Sequence, residues 1–297
     1  MVDRVMYATW IDGVVQMGPA SVSTADHAFL LGDGVFETFL WRGGRVVGFD
    51  DHLERLMESL ERLGILVPPN GELERSVAEV AIYLADRLDP SHPLRVRITV
   101  SSGDGPSGLA RGGRPVLCVS AMPLPRGSGD PVRASIAPWP RNEWGALAGI
   151  KSVSKGEDII AAREVRGSGA NEAIWLNTRG DLCETATANV YVVQADRIVT
   201  PNLASGCLPG IARKLLLQHA PASKIPLVEE RVPGDILDRV RSGTAGLLLS
   251  SAVRGVVQVD ELDGVVLSRL PLGKRLQELW QQIVGDHSRV VALRARD

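Results

Sequence analysis

Two residues in this 297-residue chain have the types that covalent catalysis could use together, Lys151 and Glu184. A lysine amine condenses with a carbonyl cofactor, and a carboxylate set against a pyridine nitrogen keeps that ring protonated, so that it withdraws electrons. Taken alone, each has a plainer reading: a surface lysine after an apolar residue, and a solvated acid just past a turn. Their settings narrow the choice. Lys151 stands in G-I-K-S-V-S-K-G-E-D-I-I-A-A-R-E, which starts at Gly149, and Glu184 begins E-T-A-T-A-N, which ends at Asn189.

The elements that must carry these residues can be read from periodicity. Asp12-Gly13 suits a tight turn between strands over Val5 to Ile11 and Val14 to Met17. Val35 to Trp41 reads as a strand, Arg42-Gly43-Gly44 as its turn, and Arg45 to Phe49 as the return. Leu53, Leu56, Met57, Leu60 and Leu63 then recur at helical spacing, with Asp50 and Asp51 as caps and Gly64 as the stop. Arg55 is one place from that stripe, so it is either a solvated helix charge or a guanidinium fork for an anion, while His52 reads as a structural residue at the helix start. Glu72 to Leu88 predicts a second helix. Leu94 to Ser101 and Pro115 to Met122 predict neighbouring strands, the first alternating Arg95, Arg97 and Thr99 with Val96, Ile98 and Val100. The glycine-rich stretch between them lacks the G-K-[ST] ending of a phosphate loop and reads as a substrate-covering loop.

Pro123 to Pro131, with three prolines and two glycines, reads as a linker. It divides an N-terminal α/β domain, 1–122, from a C-terminal α/β domain, 132–297, that carries the lysine. In the second, Val132 to Ala137, Glu172 to Leu176, Val190 to Val193, Ile198 to Thr200 and Thr244 to Ser251 predict strands, with another near Val256. Glu157 to Val165 and Arg269 to Val284 predict helices, and Leu208-Pro209-Gly210-Ile211-Ala212-Arg213 opens one that runs through Leu217. The outward amides of that opening are either a phosphate seat or an ordinary helix start.

Composition bounds the function classes. A 44% hydrophobic chain of this length buries a sizeable core, and a net charge of −2 with interspersed acids and bases points to a small substrate rather than nucleic acid or a membrane surface. Cys118, Cys183 and Cys207 form no C-x-x-C pair, which suits reduced thiols in a cytoplasm. The five histidines are scattered, so no metal site is expected, and no apolar run approaches the ~18 residues of a membrane span.

Set in order, Gly32-Asp33-Gly34-Val35-Phe36-Glu37-Thr38, His52-Leu53-Glu54-Arg55-Leu56, Lys151, the run from Glu184 to Asn189, Thr200-Pro201 and Leu208 to Arg213 resemble the class IV, fold type IV, pyridoxal-phosphate enzymes. That family holds branched-chain aminotransferases, D-amino acid transaminases and aminodeoxychorismate lyases, and the likeness spans roughly Ile11 to Gly264. It implies two α/β domains (an α+β arrangement) with pyridoxal 5'-phosphate in the cleft between them, and a homodimer. It also implies roles. Lys151 carries the cofactor and moves the substrate Cα proton; Glu184 faces the ring nitrogen; Leu208 packs on the ring; Asn189 steadies the strand bearing Glu184. Arg55, the amides of Ile211 and Ala212 and a hydroxyl of Ser250 or Ser251 hold the phosphate, and Arg97 and Lys155 face substrate carboxylates.

The chain departs from the pattern in places. Ala212 stands where the family commonly has threonine, and Lys155 where tyrosine is often found. Val100-Ser101-Ser102-Gly103 lacks the arginine of D-amino acid transaminases, and the run from Glu184 to Asn189 departs from the E-G-x-G-x-N of branched-chain aminotransferases. Pro138 to Glu143, Asn177 to Glu184 and Ser205 to Gly210 look most like bacterial aminodeoxychorismate lyases. That lyase is the leading expectation, with a class IV transaminase of amino acids or amines second and a non-catalytic relative a remote third.

Overall fold

The computed structural model describes residues 6–69, 71–89, 92–106, 108–124 and 130–291. The chain divides into two compact units, one of Met1–Arg126, Ile150–Ser154 and His287–Asp297, the other of Gly127–Gly149 and Lys155–Asp286. The segment bearing Lys151 thus groups with the first unit, whereas the sequence reading assigned it to the second. Of the expected linker, 125–129 lies outside the described residues, as does Val5.

In the first unit, β1 (Ala8–Ile11), β2 (Val14–Met17), β3 (Gly34–Arg42), β4 (Arg45–Val47), β5 (Leu94–Ser101) and β6 (Val116–Pro123) join the strand Ser288–Val290 in one antiparallel sheet. Asp12 and Gly13 both take positive φ, 50° and 79°, the geometry a two-residue hairpin demands. The sheet is half-covered by helices because its strands alternate. Val96, Ile98 and Val100 are fully buried while Arg95 is exposed and Arg97 and Thr99 half-buried. A short helix, α1 (His27–Leu31), capped by the Asp26 carboxylate, precedes β3. α2 (Phe49–Leu63) and α3 (Glu72–Ala85) bury Leu56, Leu60, Val77 and Leu84, each such side chain stabilising by about 1.5–3 kcal/mol. α2 starts earlier than its apolar stripe suggested. Gly48, at φ 60°, turns β4 directly into the helix, so Asp50 and Asp51 lie in the first turn and do not cap it.

The second unit holds two mixed sheets. β7 (Arg133–Ile136), α4 (Gly156–Gly167), β8 (Glu172–Leu176), β9 (Leu182–Thr185), β10 (Asn189–Val193), β11 (Ile198–Pro201), α5 (Ile211–His219), β12 (Leu227–Glu230), α6 (Ile236–Arg241), β13 (Gly246–Ser251), β14 (Gly255–Gln258), β15 (Glu261–Leu262), β16 (Val265–Val266) and α7 (Pro271–Asp286) follow in order. One sheet runs β12-β11-β10-β13-β14, the other β16-β15-β7-β8-β9. Val190, Val192, Leu247, Leu249, Ile174 and Leu182 share one core between these sheets. A smaller core around Trp175 takes in Cys183 and Cys207, both free thiols.

Candidate active site

In the first unit the chain at Lys151 runs as an extra strand along β3. The Phe36 N–H donates to the Lys151 carbonyl at 2.9 Å, Val153 N–H to Gly34 O at 3.0 Å, and Val35 pairs with Ser152. Cross-strand neighbours share a face, and the Lys151 ammonium stands 4.8 Å from the centre of the Phe36 ring. The Arg97 guanidinium lies over the same ring at 3.7 Å, its Nε donating to Thr99 Oγ1 at 3.0 Å. Lys151 and Arg97, assigned to proton transfer and to substrate, therefore share one aromatic support. Burial, then the neighbouring Arg95 charge, pulls the Arg97 guanidinium down to about 10, which leaves it charged at neutral pH.

One residue further along β3 the side chain points the other way, toward α2. There Glu37 is fully buried, as are His52 and, nearly so, Arg55. Arg55 Nε and Nη2 donate to the two Glu37 oxygens at 2.7 and 2.8 Å, and His52 Nδ1 meets Oε2 at 2.7 Å. Burial alone would raise the Glu37 carboxyl; the Arg55 and His52 charges and hydrogen bonds outweigh it and hold the group at about 2. Burial lowers His52, against the Glu37 attraction. Arg55 is thus no solvated helix charge, and Glu37 is a partner that the sequence reading missed. The signal was there: a carboxylate at the alternating positions otherwise filled by Val35, Phe39 and Trp41 has to find a cation.

In the second unit Glu184, on β9, accepts the Leu208 N–H through Oε2 at 3.0 Å. The carbonyl of the same residue accepts from Asn189 Nδ2 at 2.8 Å, so the Leu208 backbone is fixed by β9 on one side and by β10 on the other. Gly210 is required beside it, since a Cβ there would lie 1.9 Å from Asn189 Oδ1. Burial raises the Glu184 carboxyl, while the Leu208 amide and then the Arg141 and Lys155 charges work against the rise. Ile211 and Ala212, both buried, open α5, and its cap, Gly210, offers no side-chain acceptor to the first-turn amides.

The two candidate hydroxyls differ. Ser250 is 2% exposed and shares a hydrogen bond with Tyr191 at 2.8 Å, whereas the half-buried Ser251 accepts the Arg254 N–H at 3.2 Å and keeps its own proton to donate. The Lys155 ammonium pairs with Asp158, which also takes Arg141 and, at 3.1 Å, the Trp175 indole N–H.

The three segments likened to lyases meet here. Thr178 N–H and Oγ1 donate to Glu143 at 3.1 and 2.9 Å, Asn177 Nδ2 donates to Ser205 O at 3.4 Å, and Arg179 Nη2 to Ala204 O at 2.8 Å. Gly206 completes the join, at φ 90° with no room for a Cβ against the Glu143 backbone. Among the described residues no group of three or more His, Cys, Asp or Glu could hold a metal, and no helix is long and apolar enough to cross a membrane.

Residues 34–262 match the family model described as amino-transferase class IV. A putative branched-chain-amino-acid aminotransferase of Methanocaldococcus jannaschii is 28% identical over 271 residues, covering 89% of this chain and 91% of that one. An aminodeoxychorismate lyase of Vibrio harveyi is 27% identical over 71% of this chain and 76% of its own. The crystal structure of a branched-chain aminotransferase from Thermoproteus uzoniensis with norvaline superposes with a TM-score of 0.84 at 26% identity, covering 96% of this chain and 99% of that one.

Proposed function

The chain belongs to the class IV amino-transferase family of pyridoxal-phosphate enzymes, and from that premise we propose that it is an aminodeoxychorismate lyase, forming 4-aminobenzoate and pyruvate. The observation that carries this reading is the joining of Pro138 to Glu143, Asn177 to Glu184 and Ser205 to Gly210 into one hydrogen-bonded cluster that ends on Glu184. Scattered likenesses would be weak evidence. Segments that build one surface together are a stronger reason to assign a shared substrate.

The residues fit the cofactor. When bound, pyridoxal phosphate supplies an electron-accepting ring next to the substrate Cα. Glu184, its Oε2 held by the Leu208 amide, would take the ring nitrogen, and a protonated ring would offset the rise that burial gives its carboxyl. Leu208, fixed at both its N–H and its carbonyl, offers its side chain to the ring face. In the second unit the first-turn amides of Ile211 and Ala212 at the positive end of α5 and the Ser251 hydroxyl would donate to the phosphate, and in the first unit the Arg55 fork is the donor proposed for it. Ser250 belongs to the same set, since its hydroxyl keeps a proton to donate when it accepts from the Tyr191 hydroxyl.

Lys151 Nζ takes the Cα proton and returns it as the leaving pyruvate is formed, a general-base contribution of about 10²–10⁴ in rate. Arg97 holds a substrate carboxylate. Lys155 is assigned to Asp158 instead, which keeps two ammonium groups from competing for one anion. The same reading makes the protein a cytoplasmic homodimer, and light scattering of the purified protein tests the dimer.

A second reading, a transaminase of branched-chain or other amino acids, is favoured by the fuller coverage of the aminotransferase relative, 91% of its length against 76% of the lyase. One cofactor-loaded preparation decides between them. Formation of 4-aminobenzoate from aminodeoxychorismate supports the lyase; nitrogen exchange between an amino donor and a keto acid, with no 4-aminobenzoate, replaces it with the transaminase.

A further inference from the structure

Resting on the phosphate role proposed for Arg55, we infer that Glu37 is a positioning residue that fixes the Arg55 guanidinium as an anion fork, with His52 bracing Glu37 from the other side. His52 and Arg55 are three residues apart on α2 and so present one face to β3. Both Glu37 oxygens are used: Oε1 by Arg55 Nε, and Oε2 by Arg55 Nη2 and His52 Nδ1. A guanidinium is planar, so chelating one edge sets the direction of every remaining N–H. The carboxylate does for this arginine what a rigid scaffold does for a ligand site, removing before binding the side-chain freedom that would otherwise be lost on binding.

Stability alone is a poor account of the arrangement. An ionised carboxylate accepts only, so the proton of His52 must sit on Nδ1, and Nε2 is left as a buried acceptor with no partner among the described residues. An ion pair stripped of water and an orphaned ring nitrogen together are costlier than apolar side chains of the same volume. Phe39 packs edge-on against Phe49 at 5.6 Å and tilted against His52 at 5.3 Å, so the trio sits against apolar walls where such side chains could stand. Orientation of Arg55 is what the polar trio supplies and an apolar core would not.

The test compares two probes on the apoprotein, pyridoxal phosphate and pyridoxal, which lacks the phosphate, each titrated by absorbance. Glu37→Gln should weaken pyridoxal phosphate at least about tenfold while leaving pyridoxal within about twofold, a ratio that general loosening of the fold would not change. Glu37→Asp, which keeps the charge but shortens the reach, should fall between, and it carries the comparison if the glutamine variant does not fold. Arg55→Lys separates the two layers of the argument. If it collapses the ratio while folded Glu37 variants leave it unchanged, the positioning role is wrong and the phosphate role stands; if it too leaves the ratio unchanged, the phosphate role itself fails.

Discussion

Glu184 is a carboxylate that the protein holds in an unfavourable setting. Burial raises its pKa in the folded chain, so the folded state binds its proton more tightly than the unfolded one, and stability falls as pH rises from the ordinary carboxylate range through the raised value. Glu184→Gln should therefore melt at a higher temperature than the parent as apoprotein at neutral pH, yet, on the role proposed for it at the ring nitrogen, lose about 10²-fold or more in turnover. Calorimetry and steady-state rates on one preparation check both halves. Arg97→Gln should act on a different parameter, raising KM for a carboxylate substrate about tenfold or more and changing kcat less. Lys151 and Glu184 stand out in the sequence because the chemistry proposed for them demands those residue types. The alternation of β3 marks Glu37 as needing a cation, but which cation is not legible, since Arg55 is 18 positions away and only the packing of α2 on β3 brings it into contact.

β9, β10 and the start of α5 act together through the Leu208 peptide, and Gly210 is where that assembly is tightest. Its φ of −64° suits any residue, so the need for glycine is purely steric, set by the 1.9 Å approach of a Cβ to Asn189 Oδ1. Gly210→Ala should cost about 1–3 kcal/mol and weaken cofactor binding, and adding Asn189→Ala should recover part of the stability, since the clash goes with the amide. Thermal denaturation of the two single variants and the double variant measures this. Long periodic elements such as α2, α3 and β5 were readable to within a few residues. β9 entered only through the family likeness, as the strand bearing Glu184, and α1, β12 and α6 escaped altogether, because four to six residues carry too little period to separate helix from strand.

For the whole molecule, acid is the revealing perturbation. Glu37, held at about 2 against an ordinary 4.5, contributes stability on the order of 3 kcal/mol that is fully present above pH 4.5 and lost as pH falls through about 2. Denaturant midpoints between pH 5 and 2 should fall more steeply for the parent than for Glu37→Gln, which lacks that titration. Family membership was legible because the motifs recur in order along most of the chain. The pairing of Ser288–Val290 with β4 was not, because strands more than 240 positions apart leave no mark in local sequence. The central claim, that Lys151 carries the cofactor, is tested most directly by reducing the pyridoxal-phosphate-loaded protein with borohydride and locating the added mass by peptide sequencing. The account predicts one modified residue, Lys151, and no stable adduct in Lys151→Ala; a full adduct elsewhere, on Lys155 for instance, with Lys151 unmodified, would contradict it.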